Sequence, residues 1–512
     1  MLIKVFGAAV QGIDATLITI EVNSSRGCMF YLVGLPDSAV KESHQRIISA
    51  LQVNGYRMPT SNIVINMAPA DIRKEGAAYD LPLAIGILAA SEVIQSDKLE
   101  RYLLMGELSL DGSLQPIKGA LPIAIKAREL GFEGMIVPQQ NAHEAAVVNN
   151  LKVYGAGNIK EVIEFFNGTQ ELTPTLVNTR EEFYSQQSNF DFDFAEVKGQ
   201  ENVKRALEVA ASGSHNILLI GSPGSGKSML AKRLPSILPP LSLGESLETT
   251  KIHSVAGKLG KDGGLISKRP FRAPHHTIST VAMTGGGSFP QPGEISLAHN
   301  GILYLDELPE YSRNVLEVLR QPLEDRKITV SRIRCNVEYP ASFMLVASMN
   351  PCPCGYYTHP TKACVCSPGQ VQKYLNRISG PLLDRIDLQI EVTPLPFEEM
   401  ADSRPGESSA TIRERVIRAR QIQEARYADI PGIYCNAQMN SKLLARHARP
   451  DDKGLAMLKT AMNRLNLSAH AYDRILKVSR TIADLEGCEL IQPAHLAEAI
   501  GYRNLDREGW AG

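Results

Sequence analysis

Gly221-Ser-Pro-Gly-Ser-Gly226-Lys227-Ser228 is the segment of this chain with the strongest structural signal. Four residues separate the two outer glycines, and a lysine and a hydroxyl residue follow, which is the pattern of a phosphate-binding loop. An apolar strand-like run (217–220) precedes the loop and a helix-like run (229–234) follows it. Backbone N–H groups of such a loop surround phosphate oxygens, and the helix N-terminus adds positive potential. The segment therefore predicts a nucleoside-triphosphate site formed by Gly221, Ser222, Pro223, Gly224, Ser225, Gly226, Lys227 and Ser228.

An acidic pair downstream completes the expected phosphate chemistry. The apolar strand 301–305 ends on Asp306 and Glu307. A buried strand that delivers two carboxylates at its carboxyl end matches the second half of a phosphate-loop ATPase. We expect Lys227 to reach the β- and γ-phosphates, Ser228 and Asp306 to ligate Mg²⁺, and Glu307 to polarise the attacking water. The alternative, a strand that ends by chance on acidic residues, is disfavoured by the phosphate loop.

Further motifs carry a family resemblance. The next apolar strand ends in Ser-Met-Asn350, Leu382-Leu-Asp-Arg385 follows, and Asp193-Phe-Ala-Glu-Val-Lys-Gly-Gln200 precedes the loop. With the loop and the acidic pair, these segments resemble an AAA+ ATPase of the magnesium-chelatase and MCM branch. An amide at the position of Asn350 can hydrogen-bond the attacking water or the γ-phosphate. The resemblance implies ATP as the nucleotide and Arg385 as a finger that reaches the γ-phosphate of a neighbouring subunit.

The resemblance also extends to Arg474 and to assembly. Arg474 matches the second sensor arginine on the helical lid, and the alternative is a surface arginine on an amphipathic helix. An arginine that acts in trans requires an oligomer. The resemblance implies a homohexamer with ATP sites between subunits.

The overall composition is that of an ordinary globular chain. The 512 residues are 44% hydrophobic and 21% charged, with a net charge of −1. No apolar run approaches the ~20 residues needed to span a bilayer. The N-terminus lacks a basic leader followed by a cleavable apolar core. Only eight cysteines are present, so we predict a cytoplasmic protein without a disulfide framework. Because no long apolar run is present, we predict no membrane partner.

The order of strand-like and helix-like runs predicts an α/β protein. Residues 1–170 form one mixed domain, and residues 171–190 are polar, lack periodicity and are interpreted as a linker. Residues 191–395 repeat the strand–helix alternation around the phosphate loop and form the expected AAA+ core. Residues 396–512 are mostly helical in pattern and form the expected lid.

The first domain resembles the Lon-protease-like (S5-type) fold in residues 66–82 and 106–119. Lon proteases use a Ser–Lys pair in which the lysine amine deprotonates the serine. This chain has Ala78 at the serine position and Leu121 at the lysine position, with Lys118 nearby. Without that nucleophile and base the pair cannot hydrolyse peptides. We therefore predict a non-proteolytic module that forms the ring or binds DNA.

Two basic stretches interrupt the neutral composition. Residues 251–276 hold six cations against one acid, and residues 326–334 hold four cations and no acid. In the MCM-like branch, one insert precedes the Asp–Glu strand and a pore hairpin follows it; here a glycine-rich loop (284–293) occupies the first position. The alternative is ordinary solvated surface. The resemblance implies contacts to single-stranded, forked or branched DNA, made by Lys268, Arg269, Lys327, Arg332 and Arg334.

Four cysteines cluster within residues 350–370. They form two Cys-x-Cys pairs across a short polar loop, and four thiolates can satisfy tetrahedral Zn²⁺. The usual spacing is Cys-x₂-Cys; His359 lies between the pairs and could replace one thiolate, and four reduced cysteines are the alternative. We predict a structural zinc site formed by Cys352, Cys354, Cys364 and Cys366.

A degenerate Lon-like domain followed by a chelatase-type AAA+ module with a Cys-Pro-Cys-Gly element is the arrangement of the bacterial YifB/ComM family. The resemblance covers nearly the whole chain. It implies a hexameric ATP-dependent DNA helicase that promotes branch migration in homologous recombination during natural transformation, with recombination proteins as partners.

Three other functions compete with this one. A metal-chelatase motor needs neither the Lon-like domain nor the cysteine element. An ATP-dependent protease is disfavoured by Ala78, although a chaperone-like ATPase is not. A binding module without turnover is disfavoured by the intact Asp306–Glu307 pair.

Overall fold

The computed structural model describes residues 2–503 except 96, 261–262, 288–289, 333–334, 358, 397–403 and 466. The chain divides into two compact units. The first unit comprises Met1–Gln186, Leu243–Ser267 and Pro290–Pro292; the second comprises Gln187–Ser242, Lys268–Phe289 and Gly293–Gly512. Strands and helices alternate in both, so the predicted α/β class is confirmed.

The first unit is built on a seven-stranded mixed sheet. Its strands lie in the order Phe30–Val33, Asn62–Ala68, Asp14–Ser25, Leu2–Gln11, Tyr102–Leu104, Gly134–Pro138 and Lys152–Ala156. A two-stranded hairpin joins Glu107–Leu108 to Leu114–Gln115. The helices are Ser38–Val53, Asp80–Ala90, Ala120–Glu129, Gln139–Ala146, Ile159–Phe166, Thr179–Gln186 and Leu243–Val255, with 3₁₀ turns at Ala77–Tyr79 and Leu99–Arg101.

Sequence pattern explains these elements. Ile63, Ile65 and Met67 alternate with less buried residues in their strand and face the core, as a period of two requires. Asp80–Ala90 is apolar on all sides after its first residue and is buried at every position, as expected for a central helix. Thr179–Gln186 lies within the predicted linker and is helical, with Phe183 buried.

A segment from the middle of the chain packs within the first unit. The helix Leu243–Val255 follows the phosphate-loop region in sequence, yet its side chains bond to residues of the first unit. Lys251 Nζ lies 2.9 Å from Asp14 Oδ1. Ser254 Oγ donates to Glu144, and burial raises the pKa of this glutamate. Residues 243–267 therefore lie between two segments of the second unit in sequence but pack within the first unit.

The second unit is built on a five-stranded parallel sheet. Its strands lie in the order Phe271–Arg272, Ile302–Leu305, Met344–Met349, Ile217–Ile220 and Leu388–Glu391. Its helices up to residue 383 are Glu201–Gly213, Lys227–Arg233, Thr280–Thr284, Glu294–Leu297, Arg313–Glu317, Arg320–Asp325, Pro368–Leu375 and Gly380–Leu383. The 3₁₀ turns are Phe194–Glu196, Leu234–Ile237, Leu308–Glu310 and Asn436–Gln438.

The remaining elements are a hairpin, two short strands and a helical region. The hairpin pairs Lys327–Arg332 with Cys335–Pro340, and the short strands are Gly285–Gly286 and Gln291–Pro292. The carboxyl-terminal helices are Ser409–Arg426, Ser441–His447, Asp452–Leu465, Ala469–Leu485 and Pro493–Gly501. A mostly helical carboxyl-terminal region is thus confirmed. Within the described residues, no helix combines the length and apolar character that crossing a bilayer demands.

The parallel sheet determines where the site lies. Its three central strands are buried throughout, as is usual for parallel strands covered on both faces. The carboxyl ends of parallel strands meet at one edge of a sheet, where ligands bind. Gly221, Asp306 and Asn350 directly follow three of these strands, so the order of the strands brings the three predicted motifs to one edge.

Candidate functional site

The phosphate loop closes around the lysine amine. Lys227 Nζ donates to the carbonyl oxygens of Gly221 at 2.6 Å and Ser222 at 3.0 Å, and to Asn350 Oδ1 at 3.2 Å. Gly221 cannot carry a side chain, because a Cβ there would lie 2.3 Å from the Val392 carbonyl oxygen. The hydrogen bond between Lys227 and the Asn350 amide places these two residues, which are far apart in sequence, in the same site.

The loop also holds polar groups that lack partners. The hydroxyl oxygens of Ser222 and Ser225 are buried, and neither has a hydrogen-bond partner among the described residues. Buried polar atoms are normally satisfied. Burial lowers the pKa of Lys227, and the charges of Asp306 and Glu307 oppose that shift. A buried amine beside unsatisfied hydroxyls fits the phosphate groups of a nucleotide.

The Asp306 carboxylate is held by serines from two elements. Ser228 Oγ donates to Asp306 Oδ2 at 2.9 Å, Ser348 Oγ donates to Oδ1, and the Glu307 N–H donates to Oδ1 at 3.1 Å. Burial opposes ionisation, but the Ser348 and Ser228 hydrogen bonds outweigh it and lower the pKa of Asp306. An ionised carboxylate beside a hydroxyl oxygen is a donor set that suits Mg²⁺.

Ser348 is a site residue that the motifs did not identify. The strands Ile302–Leu305 and Met344–Met349 pair in parallel with Leu305 opposite Ala347. Continuing this register places Ser348 beside Asp306. Alignment of the two predicted strands by their carboxyl ends would have identified Ser348 from the sequence.

Glu307 has an unusual backbone conformation. Its φ of 54° and ψ of 52° lie in the left-handed region, which costs an L-residue about 1–2 kcal/mol. Its side chain is 58% exposed, and its Oε2 lies 4.0 Å from His276 Nδ1. Strain of this kind is concentrated at functional sites. The turn after the strand thus presents Glu307 to solvent while Asp306 faces the loop.

A cavity of about 1000 Å³ adjoins the phosphate loop. Gly199 and Gln200 line it, together with residues 389–391 of the last strand of the sheet and residues 393–394 after it. Gln200 Nε2 donates to the Ser225 carbonyl at 2.9 Å and to the Thr393 carbonyl at 3.2 Å. Gln200 therefore joins the cavity to the loop, a role that the motif around it did not reveal.

Arg385 and Arg474, predicted as the trans-acting finger and the lid arginine, form ion pairs away from the phosphate loop. Arg385 Nη2 donates to Glu324 Oε2 at 2.5 Å. Arg474 Nη1 lies 3.1 Å from Asp387 Oδ1. Burial disfavours the Asp387 carboxylate, but Arg474 and His215 outweigh it and lower its pKa. Within the described chain, neither arginine bonds to the phosphate loop or the acidic pair, so their catalytic roles stay predictions.

The four clustered cysteines form a compact thiol group. Their Sγ atoms all lie within 4.8 Å of one another, and three of the separations are 3.4, 3.7 and 3.6 Å. A tetrahedron with Zn–S bonds of about 2.3 Å has edges of about 3.8 Å. N–H groups of Tyr356 and Val365 lower the pKa of Cys354 to about 6. The geometry fits zinc.

His359 lies outside this thiol group. Its Nδ1 accepts a hydrogen bond from the Lys362 N–H at 3.0 Å. The four cysteines are therefore the set that the structure brings together, and His359 has a local role in the turn.

The cysteine loop packs directly on the phosphate loop. Gly355 follows Cys354 with a φ of 83°, and a Cβ at this position would lie 2.4 Å from Pro223 Cδ. Cys352 lies two residues after Asn350 in sequence and is fully buried. The loop between the two Cys-x-Cys pairs thus supports one wall of the phosphate site.

Two of the five cations predicted to contact DNA, Lys327 and Arg269, form hydrogen bonds within this chain. Lys327 Nζ donates to both carboxylate oxygens of Glu338 across the hairpin, at 2.9 and 3.1 Å. Arg269 donates to the carbonyls of Pro239 and Asn300, at 2.7 and 2.8 Å. Its guanidinium therefore holds the backbone in place.

The remaining three cations are Lys268, Arg332 and Arg334. Lys268 Nζ lies 5.8 Å from the ring centroid of Phe190. Arg332 pairs with Cys335 at the end of the hairpin ladder, and Arg334 lies outside the described residues. DNA contact by all five cations stays a prediction.

The residues predicted to occupy the Ser–Lys positions lie in the first unit. Leu121 is fully buried in the core, and Lys118 is exposed. The Ala78 carbonyl accepts a hydrogen bond from the Gly106 N–H at 2.8 Å. An apolar Leu121 side chain serves packing, and Ala78 offers no hydroxyl for acyl transfer.

Three family models match consecutive parts of the chain. Residues 20–141 match "Subunit ChlI of Mg-chelatase", residues 193–400 match "Magnesium chelatase, subunit ChlI", and residues 406–503 match "Magnesium chelatase, subunit ChlI C-terminal". The central match contains the phosphate loop, the acidic pair and the cysteine cluster.

Similar proteins align over most of the chain. "Competence protein ComM" of Haemophilus influenzae is 45% identical over 98% of this chain and 97% of its own length. "Uncharacterized protein YifB" of Escherichia coli is 43% identical over 98% of this chain and 96% of its own. The "Magnesium-chelatase 38 kDa subunit" of Rhodobacter capsulatus is 26% identical over 31% of this chain and 50% of its own.

Proposed function

The chain belongs to the ComM/YifB family of magnesium-chelatase ChlI-like AAA+ proteins, and we propose that it is a hexameric ATP-driven DNA motor. Its output is branch migration in homologous recombination during natural transformation. The observation that carries ATP hydrolysis is the meeting of Lys227, Ser228, Asp306 and Asn350 at one sheet edge. The name of the Haemophilus influenzae relative supports the link to competence.

Each residue of the site has a part in hydrolysis. Lys227 neutralises phosphate oxygens, and Ser228 with Asp306 would hold Mg²⁺, which when bound neutralises charge on the β- and γ-phosphates. Glu307 accepts a proton from the attacking water, and the Asn350 amide orients that water or the γ-phosphate. The cavity beside Gln200 takes the nucleoside. Arg385 of a neighbouring subunit stabilises charge in the transition state.

The proposed DNA contact rests on the hairpin Lys327–Pro340. It lies in sequence between Glu307 and the strand that leads to Asn350. Ile328 and Val330 share the buried face of its first strand. That packing anchors the hairpin, and the basic residues near its tip are proposed to contact phosphate groups.

A metal-chelatase motor is the second candidate, because all three matching family models describe ChlI. The shared ATPase machinery accounts for the match of residues 193–400. The alignment to the chelatase subunit of Rhodobacter capsulatus covers only 31% of this chain, whereas the ComM alignment covers 98%. We therefore favour the DNA motor.

Stimulation by DNA tests the proposal. We expect forked or four-way DNA to raise kcat for ATP hydrolysis about tenfold or more over the rate without DNA. The reason is that movement along DNA is coupled to ATP turnover. The double variant Arg332→Ala, Arg334→Ala should lose most of the stimulation. Lys459→Ala, an exposed lysine on a carboxyl-terminal helix, is the control. Stimulation by unfolded protein or by a porphyrin, with none by DNA, would sink the motor proposal.

We also propose that the four-cysteine group binds one structural Zn²⁺ per chain. Metal analysis should find about one zinc per chain in the purified protein and much less in Cys364→Ser. The variant should also melt at a lower temperature, because structural zinc contributes directly to folding. Cys28→Ser, which changes an exposed cysteine outside the group, should leave the zinc content of the protein unchanged. Zinc-free wild-type protein with unchanged stability would contradict the assignment.

A further inference from the structure

Asn216 lies directly before the strand that leads to the phosphate loop. The strand Ile217–Ile220 pairs in parallel on both sides, and extending its register by one residue places Asn216 between Leu345 and Asp387. The Asn216 side chain is half-buried. It lies at the amino-terminal edge of the sheet, and no step of the proposed hydrolysis uses it.

The Asn216 amide joins a buried strand to the segment that carries Arg385. Its Oδ1 accepts the Leu345 N–H at 2.8 Å, and its Nδ2 donates to the Arg385 carbonyl at 2.9 Å. A backbone N–H only donates and a carbonyl only accepts, so one orientation of the amide satisfies both bonds. Leu345 belongs to the strand Met344–Met349, which is buried at every position. The Arg385 backbone is therefore tied to the core of the sheet through one side chain.

The two residues after Arg385 are held as well. The Asn216 N–H donates to Asp387 Oδ2 at 3.0 Å, and the Asn216 carbonyl accepts the Asp387 N–H at 3.0 Å. Arg503 Nη1 donates to the Ile386 carbonyl. The Asn216 amide completes this anchoring, because it holds the carbonyl of Arg385 itself.

Arg385 and the phosphate loop of its own chain lie at opposite edges of the parallel sheet. Arg385 precedes the strand Leu388–Glu391, whereas Gly221 follows the parallel strand Ile217–Ile220. Four residues of strand span about 13 Å. The segment that Asn216 holds is thus placed to act on the ATP site of a neighbouring subunit. A change at Asn216 should be felt at that site and not at the site to which its own strand leads.

We propose that Asn216 is a positioning residue that sets Arg385 for the ATP site of the neighbouring subunit. The inference rests on the proposed function, in which Arg385 completes a site between subunits. A guanidinium stabilises transition-state charge only where it is held in the productive geometry, and a displacement of about 1 Å costs about a hundredfold in rate. The Asn216 amide supplies the fixed point, because its other bond is to a strand that is buried throughout.

Asn216→Asp in the full-length protein removes the bond to Arg385 selectively. One carboxylate oxygen still accepts the Leu345 N–H, whereas the other faces the Arg385 carbonyl, and two acceptors repel. We expect kcat for ATP hydrolysis to fall about a hundredfold with KM for ATP unchanged. Asn54→Asp is the matched control, because Asn54 is also half-buried and its Nδ2 donates to two backbone carbonyls, at 2.8 and 2.9 Å. It should keep the wild-type kcat.

A double variant shows whether the effect passes through the arginine. If Asn216 acts by placing Arg385, then Asn216→Asp causes no further loss of kcat in an Arg385→Ala background, because residues that act as a unit are not additive. A second hundredfold loss in the double variant would overturn the proposal, since the amide would then act on hydrolysis by another route.

Mixed assemblies show which subunit's site is impaired. Asn216→Asp subunits mixed with Glu307→Gln subunits should regain activity, because the first supply Glu307 and the second supply a correctly held Arg385. Asn216→Asp subunits mixed with Arg385→Ala subunits should gain nothing, because neither supplies a working finger. Recovery with Arg385→Ala and none with Glu307→Gln would place the defect in the subunit's own site and refute the proposal.

The remaining outcomes separate this proposal from the finger assignment. Light scattering should show the same assembly for wild-type protein and Asn216→Asp. Asn216→Ala, which introduces no charge, takes its place in the mixtures if the aspartate variant fails to assemble, and the same pattern of recovery is expected. A normal kcat in the Asn216 variant beside a large loss in Arg385→Ala overturns this proposal alone. A normal kcat in Arg385→Ala overturns the finger assignment and this proposal together.

Discussion

Glu307→Gln is expected to lower kcat for ATP hydrolysis by about a hundredfold or more, because a general base contributes about 10²–10⁴ to the rate. The amide keeps the size of the side chain and its place after the buried strand. It cannot accept the proton of the attacking water. Lys227, Ser228 and Asp306 keep their contacts, so the affinity for ATP should change little.

Steady-state hydrolysis and equilibrium binding of a fluorescent ATP analogue measure these two effects separately. Glu310→Gln is the matched control, because Glu310 lies three residues further on, is exposed and pairs with Arg377 at 3.0 Å. It should retain most of the activity. A Glu307→Gln protein that hydrolyses ATP at half the wild-type rate would remove Glu307 from the catalytic role. Loss of ATP binding in the same variant would show that the substitution disturbs the phosphate loop.

Arg385→Ala is expected to lower kcat about 10³-fold, the lower end of the effect of a trans-acting arginine. In its own chain, Arg385 bonds to Glu324 and to the Pro381 carbonyl and its Nε atom is buried without a partner among the described residues. These contacts hold a guanidinium at the surface of the second unit. The loss of activity should therefore occur in assembled protein with little change in folding.

Mixing two inactive proteins distinguishes action in trans from action in cis. A site between an Arg385→Ala subunit that supplies Glu307 and a Glu307→Gln subunit that supplies Arg385 is complete. Random assembly of equal amounts produces such sites at about one quarter of the interfaces. Activity should reappear on mixing, and Arg377→Ala serves as a control arginine that pairs within its own chain. An Arg385→Ala protein that assembles and hydrolyses ATP normally would refute the finger assignment.

Local motifs predicted much of the architecture because their information is contiguous. The strand Ile217–Ile220 lies where the apolar run before the phosphate loop placed it, and the region after residue 396 is mostly helical, as its pattern predicted. Asp306 and Asn350 end adjacent parallel strands, as their positions after apolar runs predicted. The polar segment 171–190 differs from the predicted linker, because it contains the helix Thr179–Gln186, which the burial of Phe183 stabilises. Its sequence carries no amphipathic pattern that would announce this.

The α/β class and the positions of the phosphate-loop and Asp–Glu motifs could be read from the sequence alone. These depend on spacing within a few residues and on the alternation of strands and helices. The folded structure was needed to show which distant residues lie together: Ser348 with Asp306, His276 with Glu307, and Gly355 with Pro223. It also decided that residues 243–267 pack within the first unit. Such meetings depend on strand order, register and burial, which arise from packing across the whole chain and leave no signature in any one segment.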